Sequence, residues 1–218
     1  IGSGTLLDTS RLRWLLASRA QVHASSVHAA ILGEHGDTEF PAWSSARIGP
    51  TPILEWPTPV DPLFTRADLD AVADTVVHAA YEVIQGKGAT TYAVGVATTR
   101  LLEAILRDQH AILPVSTVLD GFHGVSGVAL SVPSVVSAAG AEPIRETSFD
   151  EKELGLFRHS ADALREVADS LEDGQTAVVV SHGASIRTGA CSFVGLPAGY
   201  WQVFSGLSNC ACVYLEER

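Results

Sequence analysis

Methionine is absent from the 218 residues, cysteine occurs three times, and Lys plus Arg number only 14 against 25 acids. So few bases, with a formal net charge of −11, leave no electrostatic footprint for DNA, RNA or an anionic membrane surface. Three cysteines cannot build a disulfide framework and point to a reducing, cytoplasmic setting. A chain that starts at Ile1 and holds no Met is expected to be cut at its N-terminus, and no basic segment with an apolar run announces a secretory signal. Uninterrupted apolar runs are also missing. The uncharged stretches Gly121 to Ala141 and Thr188 to Leu215 each contain four glycines and a proline, with His123 in the first and Gln202 and Asn209 in the second. A bilayer would penalise such residues, so both are expected to be buried in a globular fold, with no membrane span. No G-x-G-x-x-G occurs where a strand turns into a helix, so the chain lacks a dinucleotide-binding fingerprint.

What is present is ample apolar material, 46% of the residues, with 18% charged and 7% aromatic. That excludes disorder and suits one large domain, or a domain plus a smaller module. Charge is uneven: only Arg187, Glu216, Glu217 and Arg218 are charged from Gly174 onward, and all three cysteines lie there. The shift in composition near Glu172–Gly174 predicts two pieces, 1–173 and 174–218.

In the first piece Thr5 to Asp8 reads as a capping box ahead of a helix reaching Arg19. A buried strand is expected over Val27 to Leu32, then a polar loop at Gly33 to Asp37 and an irregular connection through Pro50, Pro52, Pro57, Pro59 and Pro62. Helices follow over Arg66 to Gln85, with Val72, Val76, Ala80 and Val83 on one face, and over Tyr92 to Asp108. Two or three strands are predicted over 111–119 and 127–145, turning at Asp120 and Gly121. The last helix, Phe149 to Glu172, carries Leu154, Phe157, Ala161, Leu164, Val167 and Leu171 as an apolar stripe. The second piece reads strand, loop, helix, strand, and about 45 residues cannot easily bury a core of their own. Trp14, Trp43, Trp56 and Trp201 are assigned to packing.

Asp8 and Arg11 share a helical face. By themselves they read first as a capping carboxylate and an intrahelical ion pair. His35 changes the weighing, because it follows the strand in a Gly-flanked loop able to face a cleft. An imidazolium held by a carboxylate is a general acid–base, and an arginine beside it can grip a substrate carboxylate bidentately. Such a set suits a small 2-oxo or 2-hydroxy acid. His23 and His28 with His35 could suggest a metal, but no thiolate or carboxylate cluster supports one, and none is expected. Cys210 and Cys212 share a strand face without further ligands in view.

Four segments then carry a resemblance: Ile1 to Arg13 (IGSGTLLDTSRLR), Gly33 to Thr38 (GEHGDT), Gln85 to Thr90 (QGKGAT), and Leu113 to Thr117 with Leu119 to Gly121 (LPVST, LDG). They resemble, in order over residues 1 to about 172, the C-terminal catalytic domain of bacterial L-lactate dehydrogenase in the lactate/malate dehydrogenase family. The resemblance implies an α+β fold of mixed sheets and long helices, here followed by a short β-α-β tail. It implies NAD-dependent interconversion of pyruvate and L-lactate, with malate and other L-2-hydroxy acids as alternative substrates, in a homotetramer or dimer. His35 would exchange a proton with the substrate oxygen, Asp8 would pair with His35, and Arg11 would bind the carboxylate. Thr90 would sit against the substrate side chain, although it could equally cap a helix. Arg13 and His28 fall where allosteric members bind fructose bisphosphate; without the family they read as a solvated arginine and a core-edge histidine. The family's cofactor-binding domain and mobile substrate loop have no counterpart in this sequence, so the chain by itself is expected not to transfer hydride.

The tail resembles the C-terminal end of the histidine phosphatase (phosphoglycerate mutase-like) family, through Thr176 to Gly183 (TAVVVSHG), Ile186, Arg187, and Asn209 to Leu215 (NCACVYL). There His182 would lie beside a phosphoryl group, and a strand feeding a helix N-terminus is a sound anion site. The family's Arg-His-Gly nucleophile motif is missing. Arg158-His159-Ser160 comes nearest but sits in the amphipathic helix, so the tail is expected to be inert. The alternatives are phosphoryl transfer carried by the tail, and a chimeric chain whose pieces do not act together.

Overall fold

The computed structural model describes residues 1–57, 64–87 and 92–169, which belong, but for Asp169, to one compact unit, Ile1–Ala168. Thr90, His182, the expected β-α-β tail, Val167, Leu171, Trp201 and the second uncharged stretch lie outside the described residues or side chains.

The first helix, α1, runs Leu6–Ala20 and ends on Gln21 in the left-handed conformation (φ 54°). The expected capping box does not form. Thr5 makes no side-chain cap; its hydroxyl donates instead to Ile31 O at 2.6 Å, a buried tertiary bond that outcompetes the local one. The box exists at the other end of the chain, where Glu153 N donates to Asp150 Oδ1 (2.8 Å) and Asp150 N to Glu153 Oε2 (3.1 Å).

The expected strand over Val27 to Leu32 splits in two. β1 (Val27–His28) and β2 (Ile31–Leu32) join different antiparallel sheets. β2 pairs with β3 (Phe40–Pro41), so the loop between them is a hairpin closed by Ile31 opposite Pro41 and Leu32 opposite Phe40. β1 pairs with β4 (Arg47–Ile48), which pairs with β5 (Thr51–Pro52), so the proline-rich connection starts with a short strand.

Helix α2 (Arg66–Lys87) is entered through Thr65, whose N and hydroxyl both bond Asp68, and Asp68 also receives Arg19 of α1 at 2.8 Å. Its buried face is Leu69, Ala73 and Val76 with Val72 beside them; of the expected row, Val76 is buried, Val72 partly so and Val83 exposed, and the Ala80 side chain lies outside the described ones. These residues pack against Leu12, Leu16 and Ile48, which adds Leu69 and Ala73 to the apolar face. Helix α3 (Tyr92–Leu106) packs Ala97, Leu101 and Ala104 against Leu6, Leu113, Val115 and Val136.

The main sheet is antiparallel: β6 (Ala111–Val118), β7 (Ala129–Ser137) and β8 (Gly140–Pro143), with Ser116 opposite Ser131. Helix α4 (Glu151–Asp169) covers it with Phe157 and Ala161 against Leu32, Phe122, Leu130 and Val132. Its buried face also holds two polar residues, Glu153 and Ser160. Glu153 accepts from Ser44 N at 2.8 Å and from the Ser44 hydroxyl, which satisfies a carboxylate that burial would otherwise penalise. Of the tryptophans, Trp43 is core and Trp56 packs on it, whereas Trp14 is 62% exposed and does not pack as expected.

Candidate active site

Four residues stand in a row across the main sheet: Gly2 bridges Ser116, Ser116 pairs with Ser131, and Ser131 bridges Gly33. Both bridges are reciprocal backbone pairs of 2.8–3.0 Å. The row ties the entry to α1 at one side and the hairpin loop of residues 33–39 at the other to a single rigid platform. Glycine is required at one end, Gly33, and at Gly4, two residues beyond the other. A Cβ on Gly4 (φ +47°) would meet Ser131 Oγ at 2.1 Å, and one on Gly33 (φ +96°) would meet Ser160 Oγ at 2.8 Å.

Side chains complete the alignment. Thr5 N donates to Ser131 Oγ at 3.1 Å, and Ile31 N donates to Thr9 Oγ1 at 2.9 Å, so α1 is fastened along β2. Ser160 of α4 receives Glu34 N at 2.7 Å and bonds Thr38 at 3.0 Å, while Thr38 donates to Glu34 Oε2 at 2.5 Å. The loop bearing His35 is therefore fixed from beneath by α4 and from the side by β7.

This framework brings Asp8, Arg11 and His35 together. His35 Nδ1 lies 3.0 Å from Asp8 Oδ2, and Arg11 Nη1 lies 3.4 Å from Asp8 Oδ1 and from Val76 O. Asp8 is buried, Arg11 mostly so, and the His35 side chain is half exposed. A fourth member escaped the sequence reading: Glu39, buried, with Oε2 3.4 Å from the same Nδ1. Four residues apart in a loop is no signal by itself; only the hairpin turns Glu39 back toward His35.

The imidazole is raised from 6.5 to about 10, by Asp8 first and Glu39 second, against an opposing effect of burial. Burial raises the Glu39 carboxyl, with His35 and Arg11 pulling the other way. At neutral pH His35 is an imidazolium between two carboxylates, a charged acid with one side open to solvent. The same three side chains put ligand atoms within 4.8 Å of one another, the donor types of a cation site, and His23 and His28 are not among them. A metal ion would have to displace the Nδ1 proton that two carboxylates retain.

Arg13 is neither solvated nor simply on the surface: Nε donates to Ala29 O at 2.8 Å, and desolvation lowers its pKa. His28, in β1, is exposed. His23 is occupied at Nδ1 by Ser25, with 2.8 Å to its hydroxyl. Among the described residues every strand pairing is antiparallel, and no parallel strand–helix–strand unit offers a nicotinamide dinucleotide its helix N-terminus. The described residues do not fit that cofactor. None of the described helices is long and apolar enough to cross a membrane.

Comparison with known proteins gives the family. Residues 5–175 match the lactate/malate dehydrogenase alpha/beta C-terminal domain, and residues 139–218 match the histidine phosphatase superfamily, branch 1, so that 139–175 fall in both. An L-lactate dehydrogenase of Acetivibrio thermocellus is 44% identical over 172 residues, covering 79% of this chain and 54% of that protein. L-lactate dehydrogenase 1 of Listeria monocytogenes is 44% identical over 169 residues, covering 78% and 53%. The crystal structure of the minor L-lactate dehydrogenase of Enterococcus mundtii superposes with a TM-score of 0.73 at 41% identity, over 78% of this chain and 54% of that one. The chain spans about half the length of the curated relatives it matches. With its domain matched over most of its length and its α+β fold shared with solved relatives, the chain belongs to the lactate/malate dehydrogenase family through that family's C-terminal domain.

Proposed function

We propose that residues 1–173 are the substrate-binding and proton-transferring half of a cytoplasmic L-lactate dehydrogenase, acting on pyruvate and L-lactate. The observation that carries the reading is His35 Nδ1 at 3.0 Å from buried Asp8, which holds the ring as an imidazolium with Nε2 left to meet a substrate oxygen. In pyruvate reduction His35 gives up the Nε2 proton to the developing alkoxide and becomes neutral; in lactate oxidation the transfer runs in reverse. Arg11, one helical turn from Asp8, binds the substrate carboxylate with its planar fork. Thr90 is assigned to the substrate methyl group by its motif alone, and Arg13 with His28 takes a bisphosphate such as fructose bisphosphate. NAD would supply the hydride chemistry, and the described residues, which do not fit it, are given no part in holding it. Exposed Trp14, Tyr92, Val96 and Leu106 supply apolar surface for assembly into a homodimer or homotetramer.

The test places the dinucleotide-binding half of the Acetivibrio thermocellus relative ahead of Ile1 and follows NADH oxidation with pyruvate, oxaloacetate and longer 2-oxo acids. Pyruvate should be preferred, and His35→Ala should lower kcat by about 10²–10⁴-fold, the usual worth of a general acid. Preference for oxaloacetate would make the chain a malate enzyme, and retained turnover in His35→Ala would remove His35 from its role.

The match of residues 139–218 to a histidine phosphatase supports a second reading for the tail, 174–218. His182 would assist phosphoryl transfer at a strand-to-helix junction. Turnover of p-nitrophenyl phosphate by the pure chain, lost in His182→Ala, would establish it; no turnover would leave the tail inert.

A further inference from the structure

We propose that Glu39 is a second holder of His35: a positioning residue that accepts Nδ1–H beside the nearby Asp8 and keeps that nitrogen protonated. The proposal deepens the dehydrogenase reading and takes its catalytic meaning from it.

Direction of the N–H bond is the first ground. In the plane of the ring, Nδ1–H points to Glu39 Oε2 at 3.4 Å. Asp8 Oδ2 is nearer, at 3.0 Å, but off that direction, and it accepts no hydrogen bond from any described residue. Asp8, the nearer carboxylate, favours the cation most, and Glu39 takes the in-line hydrogen bond. Two carboxylates divide the tasks of stabilising the cation and fixing the ring plane.

Burial is the second ground. The Glu39 side chain is 4% exposed, and its only side-chain partner among the described residues is His35. A carboxylate so enclosed needs a cation, and the local charges close as a neutral quartet: Arg11 and His35 positive, Asp8 and Glu39 negative. Asp8 and Arg11 face the ring from α1, and Glu39 faces it from the head of β3; Arg11 is also turned toward Val76 O of α2. Removing either carboxylate leaves one cation in excess and weakens the hold on the Nδ1 proton.

A common reference frame is the third. Glu39 precedes Phe40, buried in β3 and paired with Leu32. Asp8 is set by Thr5 and Thr9, both bonded to Ile31 of β2. Each carboxylate is thus measured from adjacent residues of one hairpin, which holds their separation fixed about the imidazole.

The experiment is a ¹⁵N histidine NMR titration of the 218-residue chain, wild type against Glu39→Gln and Glu39→Asp. Loss of an adjacent charge should lower the His35 pKa by about one pH unit or more, a tenfold fall in its proton affinity, and Asp, shorter by one methylene, should restore part of it. A His35 titration unchanged in Glu39→Gln overturns the proposal. If that variant fails to fold, ¹³C-labelled glutamate in the wild type decides: the Glu39 carboxyl resonance must inflect with His35, and a flat trace overturns the pairing. The titration needs no turnover. Dependence on Glu39 in a chain whose His35→Ala form stays active would keep the pairing and retire the dehydrogenase reading, while independence with activity lost would do the reverse.

Discussion

Raising pH from 6 to 10 should cost this fold stability through one side chain, His35. Its value is about 10 in the folded protein against an ordinary 6.5, because Asp8 first and Glu39 second favour the cation. The raised value means that the folded state binds the proton more tightly than the unfolded chain. The stabilisation is fully present below about pH 6.5, declines above it, and is gone once pH has risen through the folded value near 10. At ~1.4 kcal/mol per pH unit that interval corresponds to roughly 5 kcal/mol for a site sealed from water. The side chain is 51% exposed, and solvent screening reduces the figure to about 1–2 kcal/mol. Glu39, also raised, contributes in the same direction but in a lower window beginning at its ordinary 4.5. Urea denaturation of wild type and His35→Gln at pH 6, 8 and 10 isolates the histidine: the wild type should lose about 1–2 kcal/mol more than the variant over that range. Parallel pH dependences in the two proteins would refute the charge cluster as described.

Three further outcomes follow from contacts already described. With the cofactor half supplied, Arg11→Lys should raise the KM for pyruvate about 10- to 100-fold, the worth of a charge-assisted hydrogen bond a point charge cannot reproduce; an unchanged KM would remove Arg11 from the carboxylate site. Gly33→Ala should destabilise by about 2 kcal/mol or more, since φ +96° and a 2.8 Å approach to Ser160 Oγ both resist a Cβ; an unchanged Tm would contradict the hairpin geometry. Glu153→Ala should cost about 2–4 kcal/mol in chemical denaturation by leaving Ser44 N and Asp150 N unpaired, and a loss under 1 kcal/mol would mean that water replaces the carboxylate.

Much was legible along the chain because it follows from periodicity and local chemistry. Helix α4 declares itself through Phe157, Ala161 and Leu164, and α2, α3, β6 and β7 fall within a few residues of where alternation and breakers put them. Asp8, Arg11 and His35 could be grouped because the family motifs they sit in outweigh the local reading of a capping carboxylate and an ion pair. The family follows from the same motifs. Where the sequence reading failed, a tertiary partner had overruled a local one. Thr5 gave up its cap for Ile31 O, Val27 to Leu32 divided between two sheets, and α2 buried Leu69 and Ala73 with Val76 while leaving Val83 exposed.

The absence of a dinucleotide fingerprint was readable from the sequence directly, while the α+β fold and the grouping of Asp8, Arg11 and His35 came from its resemblance to the lactate/malate dehydrogenase family. The tertiary structure alone decided their electrostatics. It lined Gly2, Ser116, Ser131 and Gly33 across one sheet, set Ser160 beneath the hairpin, and folded Glu39 back onto His35. Residue types and their order name the groups that can carry charge. Distances of about 3 Å between residues far apart in the chain, and the exclusion of water around them, fix which proton is held and how tightly.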